Sequence, residues 1–252
     1  MSSDTPTLSR LLPHSDEIPP DPAERTLAGL YALPEDPWVR VNMISTVDGA
    51  AWGPDGQSAS INDAADWRVF RVLRALADVV LVGAGTARQE GYSHLTRPHG
   101  LEHLTGAPLE LAIVTRSGRV PWSTLDGPHP PLVVTGSAGA LEAGAAVGDD
   151  RVLVCPDGTA DGVDLRAARD ALAARGLGQV LCEGGPGLLG DVLAAGLVDE
   201  LCVTTSPRLA GPGAGRIVAG LAGHELGSGH DLRLGHLLAG PAGTLLARWE
   251  LV

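Results

Sequence analysis

Gln179-Val180-Leu181-Cys182-Glu183-Gly184-Gly185-Pro186-Gly187-Leu188-Leu189-Gly190 is the stretch on which the fold turns. A short apolar run of strand type ends on a carboxylate, passes through two glycines and enters a helical pattern that continues to Ala195. Proline suits the first helical turn, where no N–H is needed, and the donors behind it point forward at an anion. A pyrophosphate fits such a place. Gly185, Gly187 and Gly190 also satisfy G-x-G-x-x-G, so a Rossmann dehydrogenase competes for the same residues. Against it, the glycines stand late in the chain, and the acids after the helix, Asp199 and Glu200, come sooner than a ribose-binding acid should.

Working outward, a second apolar run, Val79-Val80-Leu81-Val82, enters Gly83-Ala84-Gly85-Thr86-Ala87-Arg88. Glycines there let a phosphate approach the backbone; a tight turn with no ligand reads equally well. Around these two turns, strand candidates of the buried parallel type fall at Trp38–Ile44, Val79–Val82, Leu109–Val114, Leu132–Val134, Val152–Val154 and Gln179–Cys182. Helix candidates alternate with them at Asp63–Leu76, Ala138–Ala146, Leu165–Arg175 and Pro186–Ala195. After a strand at Glu200–Ser206, the stretches Leu232–Leu238 and Thr244–Leu251 flank Gly240-Pro241-Ala242-Gly243, a terminal antiparallel hairpin. The expectation is an α/β fold with a mostly parallel central sheet flanked by helices. Residues 1–37 read as an N-terminal arm, with proline at six of the first 35 positions and only Leu8, Leu11 and Leu12 to make an apolar contact; 38–252 read as one domain.

Composition removes several function classes. The chain has no lysine, which excludes Schiff-base and pyridoxal-phosphate chemistry and Walker-type nucleotide hydrolysis, so any anion is held by arginine, hydroxyls or backbone N–H groups. A net charge of −12 without a basic run argues against nucleic acid. Apolar stretches are too short and too interrupted to span a bilayer, and the first residues lack the features of a secretory leader, which favours a cytoplasmic protein. Cys155, Cys182 and Cys202 read as reduced core residues. His94, His99 and His103 read as a solvated loop, with no metal site.

With Val41-Asn42-Met43-Ile44-Ser45-Thr46-Val47-Asp48-Gly49 added, the segments form an ordered set. From about Trp38 to the C-terminus the chain resembles the riboflavin-biosynthesis pyrimidine reductase family, which has the dihydrofolate-reductase-like fold. The resemblance implies hydride transfer from NADPH to C1′ of a ribosylamino-pyrimidine phosphate. It implies that Thr46 and Ser60 lie near the cofactor, that Gly83, Ala84, Gly85, Thr86 and the run Gly184, Gly185, Pro186, Gly187, Leu188 and Leu189 hold its phosphates, and that Thr115, Arg116 and Ser117 lie near the adenosine. Arg116 would then neutralise a 2′-phosphate, or be a solvated turn residue. Substrate contacts carry over to Asn42, Ser58, Arg74, Arg97 and Glu183; Arg74 has a competing partner in Asp78, four residues on. Glu183, Glu90 and a water near Asp48 are the candidate proton donors, which makes Glu183, Asp48 and Glu90 the candidate catalytic residues.

Two positions depart from the bacterial bifunctional pattern: Asn42 stands where lysine is common, and Glu90 where aspartate is. Asn42 looks more like the archaeal and fungal enzymes that reduce the diamino intermediate. The His-x-Glu and Pro-Cys-x-x-Cys pattern of a zinc deaminase is absent, so the expectation is a reductase alone. A dihydrofolate or other pterin reductase, and a non-catalytic NADPH-binding protein, are the alternatives. The resemblance also implies a homodimer, with the terminal hairpin burying a sheet edge.

Overall fold

The computed structural model describes residues 5–220 and 231–252. In chain order its strands and helices are β1 (Leu8–Leu12), β2 (Asp16–Ile18), α1 (Arg25–Leu30), β3 (Trp38–Thr46), α2 (Ala64–Leu76), β4 (Val79–Gly83), α3 (Ala84–Gln89), β5 (Glu110–Val114), β6 (Leu132–Thr135), α4 (Ala140–Val147), β7 (Val152–Val154), α5 (Leu165–Ala174), β8 (Gln179–Cys182), α6 (Pro186–Ala194), β9 (Glu200–Ser206), β10 (Leu232–Ala239) and β11 (Leu245–Leu251). Eleven strands form one sheet in the order β2-β1-β10-β11-β9-β3-β8-β4-β5-β6-β7. From β9 to β7 every neighbour pair is parallel, and from β9 outward through β11, β10, β1 and β2 every pair is antiparallel.

Alternation along the strands divides the core. Val80 and Val82 of β4 face the layer built with α2 residues Ala65, Val69, Val72 and Leu73, while Val79 and Leu81 face the layer holding α5 and α6. α2 forms because its apolar residues recur at helical spacing and because the Asp63 carboxylate caps it, accepting the Ala65 and Asp66 N–H groups at 2.9 and 3.0 Å. Asp164 caps α5 in the same way, and α6 carries Pro186 in its first turn. β3 and β8 lie side by side, yet the chain leaves β3 into α2 on one face and β8 into α6 on the other. Such a parting opens a crevice at the C-terminal ends of two parallel strands.

The structure corrects the reading of the N-terminal residues as an arm. Residues 1–4 lie outside the described residues, but β1 and β2 extend the sheet, and Leu8, Ile18, Leu27 and Tyr31 are buried to 1 % exposure or less. Arg68 of α2 secures the segment: it bonds both Glu24 carboxylate oxygens at 2.8 Å and the carbonyls of Pro6, Ile18 and Pro19 at 2.8–2.9 Å. Prolines conceal the two short strands, because Pro13 falls between them and Pro6 and Pro19 flank them. The hairpin expectation also changes: β10 and β11 form as read, but both are interior strands and offer no free edge. The three cysteines are buried and unpaired, and burial pushes the thiols of Cys182 and Cys202 up to about 12.

At the junction of the parallel and antiparallel parts lies a buried charge cluster. Glu200, fully buried, accepts from Arg40 on one oxygen and from Arg248 on the other, the latter at 2.9 Å. His236 lies close by, 3 % exposed and edge-on to Tyr31 with centroids 4.7 Å apart, and its Nε2 has no hydrogen-bond partner among the described residues. Burial, reinforced by the Arg248 guanidinium, brings its pKa from 6.5 down to about 4. The unfolded chain therefore takes up a proton that the fold resists: this share of stability is complete above pH 6.5 and is lost as pH falls towards 4. Asp66, pushed up to about 6 by burial, has the opposite sign, so the comparison must be made within one background. The variant H236F is expected to keep its urea midpoint on acidification better than wild type, by up to roughly 1–3 kcal/mol near pH 4.

Candidate active site

The crevice between β3 and β8 is a cleft of about 270 Å³, lined among others by Asn42, Ile44, Trp52, Ser58, Asp66, Phe70, Arg74, Thr86, Glu90, Tyr92, Glu183 and Pro186. Its floor is the C-terminal ends of β3 and β8; α2 forms one wall, and the starts of α3 and α6 form the other.

Arg74 and Glu183, 109 residues apart, form its principal polar pair. Nε and Nη2 of Arg74 each donate to one Glu183 oxygen at 2.7 Å, and the Tyr92 hydroxyl donates to Oε2. The guanidinium also lies 4.3 Å from the centre of the Phe70 ring. Although burial opposes the Arg74 charge, the Glu183 carboxylate more than offsets it and raises the Arg74 pKa. The alternative Asp78 partner is not the one Arg74 takes; Asp78 instead accepts the Gln179 N–H at 2.9 Å.

The two glycine turns are joined. Gly83 N–H donates to Gly184 O at 2.8 Å, and Gly185 N–H donates to Thr86 Oγ1 at 2.8 Å. Gly184 has φ +80°, which a side chain would strain, and a Cβ there would meet Met43 Sδ at 2.9 Å. At Gly187, exposed at the start of α6, a Cβ would meet nothing within 4 Å. The first-turn N–H groups of α6 lack helical acceptors, so the backbone of Gly187 and Leu188 presents donors beside open space. The side chains of Leu188 and Leu189 are buried in the core, which leaves only their backbone for a ligand; Ala84 is buried and Gly85 exposed in the corresponding turn.

Other sequence candidates are dispersed. Asn42, Ser58, Arg74, Thr86, Glu90, Glu183, Gly185 and Pro186 come together at the cleft. Arg97 does not line it: its guanidinium donates to the carbonyls of Arg74, Ala75, Ala77 and Ala107 and so closes the end of α2. Asp48 does not line it either. Its carboxylate accepts the Thr46 hydroxyl and the N–H groups of Gly211 and Ala210, which hold its pKa below the usual range. Thr46 is buried within that turn, and Ser60 Oγ donates to Asp55 and to the Gln57 carbonyl. Thr115 is buried at the end of β5, with Arg116 and Ser117 exposed beyond it. Arg116 lines a separate hollow with Asp157, Asp161, Asp164 and Asp191. His94, His99 and His103 are exposed.

Sequence reasoning missed Asp66, Tyr92, Trp52 and Phe70. Asp66 reads as an ordinary first-turn acid of a capped helix, and Tyr92 stands in an irregular segment with no periodicity. Only the Gly91-Tyr92 pair directly after α3 offered a signal, a turn placing an aromatic beside the glycine loops.

Among the described residues no helix is long and apolar enough to cross a membrane. The family model described as the RibD C-terminal domain matches residues 37–246. A riboflavin biosynthesis protein RibD from Chlamydia pneumoniae is 28% identical over 202 residues, 79% of this chain and 53% of that protein. The chain thus spans about half the length of the curated relative it matches. Among solved structures, a pyrimidine reductase-like protein from Corynebacterium diphtheriae has a TM-score of 0.76 and 28% identity, covering 90% of this chain and 98% of that one. The riboflavin biosynthesis reductase Rib7 of Saccharomyces cerevisiae has a TM-score of 0.61 at 16% identity, covering 89% and 94%, a likeness of fold.

Proposed function

The chain belongs to the RibD C-terminal domain family, and from that premise we propose that it is a pyrimidine reductase of riboflavin biosynthesis, reducing a ribosylamino-pyrimidine phosphate with NADPH in the cytoplasm. The observation that carries the reading is the cleft itself. One end is closed by Thr86, Gly185 and Pro186 at the start of α6, and the other holds the Arg74–Glu183 pair beside Asn42 and Ser58.

The residues present fit a dinucleotide. Gly187 and Gly85 are exposed and leave room where a side chain would stand, and Thr86 ties the Gly85 turn to the buried Gly184-Gly185 turn. Those turns would hold the phosphates, and Arg116 the 2′-phosphate, which its charge favours over a hydroxyl. The reduced nicotinamide would supply the hydride. The protein aligns the substrate carbon and excludes water. Glu183, held rigid by Arg74 and Tyr92, supplies acceptors for a pyrimidine edge, and Asn42 and Ser58 supply neutral hydrogen-bonding groups.

A homodimer is part of the proposal, on a face rather than an edge. Val203, Ala247 and Leu237 are cross-strand neighbours on β9, β11 and β10, and with Trp249 they form a half-exposed apolar surface of the kind that marks an interface.

The test is NADPH oxidation, followed by absorbance, with the deaminated ribosylamino-pyrimidine phosphate, its diamino precursor and dihydrofolate. Turnover of either ribosylamino compound is expected, and the preferred one reports what Asn42 selects. Turnover of dihydrofolate alone would make the protein a pterin reductase, and NADPH binding with no turnover would make it a non-catalytic binder. In the same series, R116A is expected to weaken NADPH about tenfold, with NADH unchanged.

A further inference from the structure

Asp66 is a carboxyl that nothing in the preceding reading uses. It lies in the first turn of α2, is 5 % exposed, and lines the cleft with Asn42 and Ile44 of β3 opposite. Its Oδ1 accepts the hydroxyl of Thr204, a buried β9 residue in register with Ile44, and Oδ2 has no hydrogen-bond partner among the described residues. A carboxyl facing a ligand cleft with one oxygen uncommitted is a proton source when it is protonated, and an acceptor when it is not.

The other acids of the site are bonded on both oxygens, less buried than Asp66, or outside the cleft. Both Glu183 oxygens already accept bonds from Arg74 and Tyr92. Glu90 accepts the Ser58 N–H at 2.9 Å. Asp48 lies outside the cleft and is held as an anion by three donors. The reduction consumes one proton for each hydride, so an acid is required, and Asp66 is the buried acid of the cleft that keeps an uncommitted oxygen.

Resting on the reductase reading above, we propose that Asp66 is the proton donor of the reaction. Hydride from a dihydronicotinamide adds to C1′ of the open imine form of the substrate. The π pair of the C1′=N bond passes to nitrogen, which takes the proton from the Asp66 carboxyl. The substrate gains two hydrogens, the nicotinamide is oxidised, and the Asp66 carboxylate recovers a proton from water at the cleft mouth. Supporting this role, burial raises the Asp66 pKa to about 6; the Thr204 hydroxyl opposes the rise, and the Asp63 carboxylate at the start of α2 adds to it. The charged groups across the cleft are Arg74, Glu183 and Glu90, with the Tyr92 phenol beside them.

The active form is the acid, so wild-type kcat is expected to fall as pH rises through about 6. D66N is expected to lower kcat by at least about 10²-fold, with KM and the NADPH dissociation constant measured by fluorescence within about twofold of wild type. T204V removes the donor that stabilises the carboxylate, so it moves the pH limb upward while keeping turnover, a displacement that a merely structural Asp66 would not produce. In protein labelled with carboxyl-¹³C aspartate, the resonance titrating near 6 is expected to vanish in D66N and to shift upward in T204V. If wild type reduces the ribosylamino compound and either variant leaves the pH limb in place, Asp66 is not the donor and the reductase reading stands. If wild type reduces no ribosylamino compound, both fall.

Discussion

Replacing Glu200 with alanine is expected to destabilise the protein by about 3–5 kcal/mol, the scale for removing one partner of a buried ion pair, without changing turnover per folded molecule. Glu200 is fully buried and serves two guanidiniums, Arg40 at 2 % exposure and Arg248 at the β11 position paired with Cys202. Removing the carboxylate strands the Arg40 charge in the layer between sheet and α1, where the Tyr31 carbonyl at 2.8 Å still accepts from it. The cluster lies at the beginning of β9 and does not line the cleft, so substrate affinity has no reason to change. Urea denaturation measures the loss. The apolar triple variant R40M/E200L/R248M is expected to recover much of it, because the cluster's attraction largely repays desolvation that the apolar set never incurs. If E200A unfolds at the wild-type urea midpoint, water reaches the cluster and the burial argument is wrong.

Replacing Glu183 with glutamine is expected to reduce kcat/KM by about 10²–10³-fold, comparable to losing one pre-organised polar contact at a reacting centre. The amide would retain the shape of the carboxylate but lose the charge that both Arg74 nitrogens address. The guanidinium, packed over Phe70 and next to Tyr92, would then be free to turn into the substrate volume. NADPH affinity should hold, since the donors proposed for its phosphates are backbone groups of the turns. Steady-state kinetics with a parallel fluorescence titration separate the two. A variant that loses NADPH affinity while keeping kcat would move Glu183 from the substrate end of the cleft to the cofactor end.

The resemblance and the strand pattern together made the central sheet legible. Val79–Gly83 and Gln179–Cys182 lie where apolar runs end in glycine or carboxylate, since a strand buried on both faces is apolar along most of its length and changes character where it emerges. The α6 start was legible for a related reason: Pro186 and the glycines before it answer to backbone constraints that act within a few residues.

Distance in the chain marks the other class of features. Arg97 and Arg74 are both arginines near the same helix, yet one closes its C-terminal carbonyls and the other reaches Glu183, a choice made by the packing of segments more than twenty residues apart. β1 pairs with β10 on one side and β2 on the other, but a short strand rich in neighbouring prolines has no local signature until its partner supplies the ladder. Asp66 and Asp63 differ little as sequence: both are acids at the start of α2. One caps the helix and the other is buried against Thr204 from a strand 138 residues away. The sequence by itself determined the parallel sheet, the glycine turns and the chemistries that a chain without lysine cannot perform, because periodicity, backbone freedom and composition are local properties. Only the tertiary structure decided which carboxyls face the cleft and which are engaged elsewhere, because desolvation and hydrogen-bond partners depend on what distant segments bring to the same place.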